Sequence, residues 1–208
     1  MRTRDALAIK ATIATAVLGF AMPARAADPV VPARAIVDQH EAGPQTNPEM
    51  TAIYDADQAA RADPASIDWN VLRPADAARR ARTQALLEAG QLGSADDFYH
   101  AAFVFQHGDT PDDFLKAHAL ATVAAARGKP EAAWIAAATL DRYLQRIGQA
   151  QIYGTQFQGR PDMSWTQEPY RRDLLPDALR KATGVPSLAE QEQQRKEWER
   201  RFAGSKKP

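Results

Sequence analysis

Apolar positions between residues 95 and 157 recur at the spacing of amphipathic helices, and glycines separate the periodic runs. Two runs begin with helix-start signals: Ser94 stands three residues before Asp97, and Thr110 stands directly before Pro111. Such side chains accept hydrogen bonds from the free N–H groups of a first turn. The pattern predicts three consecutive helices, over 95–106, 111–127 and 130–147. Because only a few residues connect them, we expect these helices to pack antiparallel.

Weaker patterns predict two helices before this region and two after it. Their starts are marked by caps, first-turn prolines and one capping box, which satisfy or avoid free N–H groups. These signals stand at Asn47-Pro48, Pro74, Pro176 and Ser187–Glu190. Gly90 is expected to end the second helix in a left-handed conformation. Three arginines of that helix, Arg79, Arg80 and Arg82, are interpreted as a solvated face.

Residues 149–170 show no helical period, and no segment of the chain alternates apolar and polar positions over the length of a strand. Alanine is abundant while β-branched residues are sparse. These features predict an all-α fold, a compact, repeat-like array of antiparallel helical hairpins with a long irregular loop and a C-terminal helix. A single helical domain is expected over 47–203, between a flexible lead-in over 27–46 and a disordered tail over 204–208.

The first 26 residues have the pattern of a secretory signal peptide. Basic residues precede an uncharged run over 11–22, which is short for a membrane span, and Ala24 and Ala26 supply the small side chains of a cleavage site. We therefore predict a bacterial periplasmic or secreted protein that is cleaved near Ala26, with an uncleaved N-terminal anchor as the alternative. The chain has no cysteine, which excludes disulfides, thiolate chemistry and lipid attachment to cysteine.

The charge balance and the motifs that are missing exclude several classes of function. Of the 26 basic and 26 acidic residues, the predicted signal peptide contains four and one, so the remainder carries a net charge of −3. This balance argues against nucleic acid as a partner. No later stretch reaches the ~20 apolar residues of a membrane span, so no membrane contact is expected after cleavage. The chain has no glycine-rich phosphate loop and no G-x-S-x-G motif, and no cofactor is predicted.

Three of the four histidines lie in the central helices. His100 and His107 are seven residues apart on one helix, which separates them by ~10 Å at a rise of 1.5 Å per residue. With His118 on the next helix and Asp109 or Asp141, they could form a metal site, but two ligands of one metal must lie closer together. No metal site is therefore predicted, and His107 is interpreted as closing the end of its helix.

Asp141 and Arg142 form a second candidate group near the end of the third central helix. Asp141 shares a helix stripe with Trp134 and Ala138, so its carboxylate is expected to face inward. A buried carboxylate needs a partner, which Arg142 or a histidine is expected to supply. We favour a structural network over a catalytic acid for Asp141.

Polar side chains surround Gly154 just after this helix. Amides and hydroxyls in such a loop either satisfy its own backbone, as a plug beneath the helices, or grip a ligand. The plug is favoured, and the ligand site is kept as the alternative. The binding candidates are Gln106, Gln151, Tyr153, Thr155 and Gln156.

Small residues, one aromatic residue and glycines recur over 95–134, at Ala101, Phe105, Gly108, Asp113, Ala117, Ala121, Ala124, Ala125, Gly128 and Ala132. This pattern resembles a Sel1-like repeat, a relative of the tetratricopeptide family, in which small residues let two helices approach closely. Only one clear unit is present, so the resemblance implies a repeat-like hairpin within a compact domain. The words QHGD, DRYL and YGTQF also resemble an uncharacterised family of exported bacterial helical proteins, which implies no activity.

Three functions fit these observations. A repeat-like helical core without a catalytic motif favours a module of the cell envelope that binds a protein or peptide partner. The alternative is a hydrolase-like envelope enzyme whose candidate catalytic residues are His107, Asp109, Asp141 and Arg142, with His100 nearby. That enzyme requires these groups to converge on one pocket. A purely structural envelope protein is the third possibility, and the sequence indicates no particular oligomeric state.

Overall fold

The computed structural model describes residues 43–159 and 164–203. Seven α-helices and one two-stranded sheet make up the regular structure of this part of the chain, and the predicted all-α class is confirmed. The predicted signal peptide over 1–26, the tail over 204–208 and the lead-in before residue 43 lie outside the described residues.

The elements follow one another along the chain with short connections. The helices are α1 (Pro48–Ala59), α2 (Trp69–Glu88), α3 (Ala95–Gln106), α4 (Pro111–Ala126), α5 (Ala132–Arg146), α6 (Asp177–Ala182) and α7 (Leu188–Ala203). A 3₁₀ turn (Pro64–Ser66) precedes α2. Within the segment predicted to be irregular, strands β1 (Gln158–Gly159) and β2 (Trp165–Thr166) pair in antiparallel register.

Side-chain caps begin four helices where the sequence predicts them. Asn47 caps α1 through its side-chain oxygen, and Ser94 and Thr110 form capping boxes at the starts of α3 and α4. Ser187 and Glu190 form the same reciprocal pair at the start of α7. In each case a side chain satisfies N–H groups that the first turn leaves free. These boundaries therefore follow from local chemistry.

The predicted start of α2 at Pro74 was wrong. The helix begins five residues earlier at Trp69, where the carboxylate of Asp68 accepts a hydrogen bond from the backbone N–H of Asn70 at 2.9 Å. Pro74 then lies in the second turn of α2. Proline there leaves only the carbonyl of Asn70 without its helical donor, and that residue is exposed to solvent, so the helix continues.

The core lies between the first five helices. Helix α4 packs most extensively against α3 and α5, while α1 packs against α3 and α2. Alanines at these contacts are fully buried and bring the helix backbones close together; they include Ala101, Ala117, Ala121 and Ala124. Met50, Leu86 and Ile135 fill the remaining core and are also fully buried. The candidate site lies on the surface of these packed helices.

Candidate functional site

The carboxylate of Asp141 holds the segment after α5 against that helix. It is fully buried, and its Oδ1 accepts the backbone N–H groups of Ile152 at 2.8 Å and Tyr153 at 3.0 Å. Its Oδ2 accepts the backbone N–H and the hydroxyl of Thr155 at 2.9 and 2.8 Å. Four donors thus satisfy the buried carboxylate without a cation. The prediction that Arg142 or a histidine pairs with this carboxylate was therefore wrong.

The amides of the same segment satisfy its backbone in the manner expected of a plug. The side chain of Gln151 is fully buried, donates to the carbonyls of Gln156 and Gln167, and accepts the backbone N–H of Gln156 at 3.0 Å. The side chain of Gln156 donates to the carbonyl of Ala138 on α5 at 3.2 Å. Gln151 is therefore closed to solvent, whereas Gln156 reaches the surface of the helices.

A second buried polar cluster lies on the other side of this segment, and sequence reasoning missed it. Arg180 of α6 is fully buried and donates to the carbonyls of Tyr153 at 2.7 Å and Arg172 at 2.9 Å. The hydroxyl of Tyr170 and the amide of Gln191 reach the same carbonyl of Tyr153. Burial raises the pKa of the Tyr170 hydroxyl. Nothing in the spacing of Arg180 along a short polar helix indicates that it is buried.

The three central histidines make three separate contacts. The ring of His100 stacks on Tyr54 with centroids 4.3 Å apart, and burial lowers its pKa. His118 places Nδ1 2.9 Å from the carbonyl oxygen of Ala136, and His107 places Nδ1 3.0 Å from the carboxylate of Asp57. Across residues 43–159 and 164–203, no group of three or more histidine, cysteine, aspartate or glutamate residues could hold a metal ion.

An ion-pair network surrounds the contact between His107 and Asp57. Asp57 is almost fully buried and also pairs with Arg61 at 2.9 Å and with Arg79 at 3.5 Å. The same two arginines bind Asp76 of α2. Burial opposes ionisation of Asp76, but the hydrogen bonds from Arg61 and Arg79 outweigh it, so the pKa of this carboxyl lies below its usual value.

The expectation that three arginines of α2 form a solvated face was wrong for two of them. The side chains of Arg79 and Arg80 are only 14% and 13% exposed. Arg80 donates to the carbonyl of His107 at 2.9 Å and binds Asp109 at 3.1 Å, which fixes the turn after α3. Arg82 alone lies half exposed, and it pairs with Glu49.

An open cleft of about 440 Å³ lies between α2, α5 and the turn after α3; we call it the arginine-lined cleft. Its cationic residues are Arg61, Arg73, Arg142 and Arg146, and its acidic residues are Asp76 and Asp109. Its amide and aromatic residues are Gln106, Gln145, Gln156, Trp69 and Phe114. His107 and Gly108 complete the lining.

Five of the sequence candidates meet in this cleft, and four do not. Those that line it are Gln106, His107, Asp109, Arg142 and Gln156. Asp141 and Gln151 are fully buried, and Tyr153 turns its carbonyl toward the second polar cluster. Thr155 lines a separate groove with Trp134, Phe157 and Trp198. The convergence that the enzyme hypothesis requires is therefore partial, because Asp141 is absent from the lining.

Positive charge dominates the arginine-lined cleft. Its two acids are both paired with arginines, whereas Arg73, Arg142 and Arg146 have no carboxylate within 4 Å in the described part of the chain. Arg142 donates to the carbonyl of Gln106 at 2.7 Å and lies over the ring of Phe114, as Arg146 does. Burial and the neighbouring Arg146 lower the pKa of Arg142.

Sequence reasoning missed eight of the thirteen residues that line the arginine-lined cleft. Among them, Arg61 follows α1, Arg73 lies on α2 and Arg146 lies on α5, and no spacing rule connects these residues. One signal was readable. Arg142 and Arg146 are four residues apart, and neither has an acidic residue three or four positions away on the helix. An exposed helix usually pairs such cations at that spacing.

No family model, no curated protein and no solved structure matches this chain. The resemblance to Sel1-like repeats and to the family with the QHGD, DRYL and YGTQF words therefore stays a prediction. Among the described residues, no helix combines the length and apolarity that crossing a membrane requires.

Proposed function

We propose that this protein is a recognition module that binds an acidic segment of a protein or peptide partner in the arginine-lined cleft. The observation that carries the proposal is the excess of unpaired cations: three guanidinium groups without a carboxylate face one concave surface. Guanidinium groups recognise carboxylates through two parallel hydrogen bonds, and arginine is enriched at protein interfaces.

Two further features favour a binding surface over a purely structural role. The indole of Trp69 is 56% exposed at the edge of the cleft, where an aromatic ring can serve as an anchor for a partner. In the same cleft, Arg61 pairs with Asp76 of the lining and with the buried Asp57, and these ion pairs fix the positions of the three side chains. Fixed side chains lower the entropy lost on binding, which is the basis of preorganised recognition.

The test is the binding of fluorescein-labelled hexaglutamate to the protein, measured by fluorescence anisotropy in 20 mM and 200 mM salt. We expect binding that weakens with salt, and a dissociation constant raised at least fivefold by the double substitution Arg73→Gln with Trp69→Ala. Arg200→Gln on α7 is the matched control, because Arg200 is exposed and far along the chain from the cleft. Equal binding of hexaglutamate and hexalysine, or no effect of the cleft variant, would overturn the proposal.

A hydrolase is the second candidate, and the contact of His107 with Asp57 favours it. Asp57 engages Nδ1 of His107, an arrangement that leaves Nε2 to accept a proton from water. The lining of the cleft contains no serine, threonine, cysteine or tyrosine, so a covalent route through a hydroxyl or thiol has no nucleophile there. Turnover of p-nitrophenyl acetate or bis-p-nitrophenyl phosphate that His107→Gln abolishes would establish this candidate over the binding module.

We also propose that the module works outside the cytoplasm. The support is the signal pattern of the first 26 residues. Expression of the full chain in a bacterial host should yield a periplasmic product whose intact mass corresponds to a start at Ala27. A product that retains Met1 in the cytoplasm would contradict this proposal.

A further inference from the structure

Two guanidinium groups of α5, on Arg142 and Arg146, lie over the same aromatic ring. Their central carbons are 5.6 and 5.5 Å from the centroid of Phe114 on α4. From this placement we infer that Arg142 and Arg146 form a clamp for a single carboxylate group, with Phe114 as its floor. The inference rests on the proposed function, because it names the chemical group that the arginine-lined cleft recognises.

The pair is electrostatically unfavourable on its own. Like charges four residues apart on a helix repel each other, and this repulsion grows where water is partly excluded. Neither residue has an acidic partner within 4 Å in the described part of the chain, whereas Arg61, Arg79 and Arg80 each pair with an aspartate. An anion between the two guanidinium groups would remove the repulsion, so the arrangement favours an anionic ligand over an empty site.

Several hydrogen-bond donors of the clamp have no acceptor among the described residues. Arg142 uses two of its nitrogens, on the side chain of Gln156 and the carbonyl of Gln106, and its third makes no hydrogen bond with a described residue. Arg146 makes none, and its side chain is exposed. Between them in the sequence, the side-chain nitrogen of Gln145 is buried without a partner in the described residues and belongs to the same lining. A bound oxygen is the partner that such a donor lacks.

The surroundings favour a carboxylate over a phosphate. Asp76 and Asp109 also line the cleft, and they would repel the double charge of one phosphate group more strongly than the single charge of one carboxylate group. The backbone N–H groups of Asp109 and Thr110, which could bind phosphate at the start of α4, already donate to the carboxylate of Asp113 at 3.2 and 3.1 Å. What remains is guanidinium nitrogen, whose planar fork matches a carboxylate.

A carboxylate of a peptide comes either from an acidic side chain or from the chain terminus, and the experiment separates these sources. The probes are acetyl-tetraglutamate amide, which carries only side-chain carboxylates, acetyl-tetraalanine with a free terminus, and disodium succinate. Binding to the full chain is measured by isothermal titration calorimetry, with inorganic phosphate as a competitor. Variants are Arg146→Gln, Arg146→Lys and the control Arg200→Gln, which removes an exposed charge of α7.

For the probe that binds, we expect Arg146→Gln to raise the dissociation constant at least tenfold. Arg146→Lys should raise it less, and Arg200→Gln should change it less than twofold. Arg146 is chosen because it makes no hydrogen bond that folding requires. If a peptide binds but Arg146→Gln behaves like Arg200→Gln, the clamp is wrong and the proposed function stands. If succinate binds in an Arg146-dependent way while neither peptide binds, the clamp stands and the proposed function fails. Stronger competition by phosphate than by succinate would overturn the carboxylate assignment.

Discussion

At the scale of single residues, one carboxylate decides how the segment after α5 folds. Asp141 accepts three backbone N–H groups and one hydroxyl inside the protein. Replacing it by alanine would leave these donors buried without an acceptor, at about 1–3 kcal/mol for each that water cannot reach. We expect Asp141→Ala to lower the free energy of unfolding by about 3 kcal/mol or more, as measured by urea denaturation.

Asp173→Ala is the control for that measurement. Asp173 is exposed and forms no ion pair in the described part of the chain, so its loss should change the free energy of unfolding by less than about 0.5 kcal/mol. If Asp141→Ala cost no more than this control, the carboxylate would not be the anchor of the segment. The residue scale also shows a limit of sequence reasoning: burial of Asp141 follows from its helix stripe, but its partners belong to a loop without periodicity.

At the scale of elements, Asp97 connects the starts of two helices. Its carboxylate accepts the backbone N–H groups of Gly93 and Ser94 before α3 and that of Asn47 before α1, the last at 2.7 Å. Burial opposes ionisation of Asp97, but these bonds outweigh it and hold the pKa of its carboxyl below the usual 3.8. The stability that this depressed pKa contributes is fully present above the usual pKa and is lost as the pH falls through the lower folded value.

The prediction is therefore a pH-dependent effect of Asp97→Asn. The variant should unfold more easily than the parent at pH 7, and the difference should shrink as the pH falls below about 4, the ordinary range of an aspartate. Denaturant titrations at pH 7, 5, 4 and 3 measure both proteins. A difference that stays constant over this range would mean that the charge of Asp97 does not stabilise the junction of α1 and α3.

Gly154 lies at a second junction between elements, where the segment after α5 packs against α7. Gly154 has a φ of +80°, and a Cβ there would stand 2.5 Å from the ring of Tyr170 and 2.3 Å from the side-chain oxygen of Gln191. Gly148, with a φ of +73°, has no atom within 4 Å of the same position. Gly148→Ala should cost about 1 kcal/mol from backbone strain alone. Gly154→Ala should cost at least twice that in thermal or chemical denaturation, and equal costs would contradict the close approach.

The elements also show which signals a sequence carries. Caps and capping boxes at Asn47, Ser94 and Thr110 predict helix starts correctly, because they act on neighbouring N–H groups. Pro74 misleads, since proline is tolerated near the start of a helix as well as at its first residue. The short strands β1 and β2 have two residues each, which is too few for an alternating pattern. Local hydrogen bonding at helix starts can be predicted from the sequence, whereas the contacts made by the rest of the fold cannot.

At the scale of the described chain, the apolar core and the polar site have different origins. The alanine-rich contacts of α3, α4 and α5 follow from helix periodicity, and the sequence predicts them. The arginine-lined cleft combines residues from α2, α3, α4 and α5 with Arg61, Gln156 and the turn after α3, and they meet only because the core fixes the positions of these helices. Candidates chosen within one segment, such as Asp141 and Thr155, were therefore divided between the cleft, the interior and another groove.

This contrast predicts unequal local stability along the chain. Helices α4 and α7 both contain 16 residues, but α4 buries five of them between α3 and α5, whereas Gln191 is the only buried side chain among the described residues of α7. Amides that open only with the whole core exchange slowest, and those of weakly packed elements open at lower free energy. Native-state hydrogen exchange should therefore give α4 protection close to the global free energy of unfolding and α7 clearly less. Equal protection of the two helices, after correction for intrinsic exchange rates, would contradict this. It would mean that the hydrogen bonds of Gln191 and the aromatic contacts of Trp198 hold α7 as firmly as apolar packing holds α4.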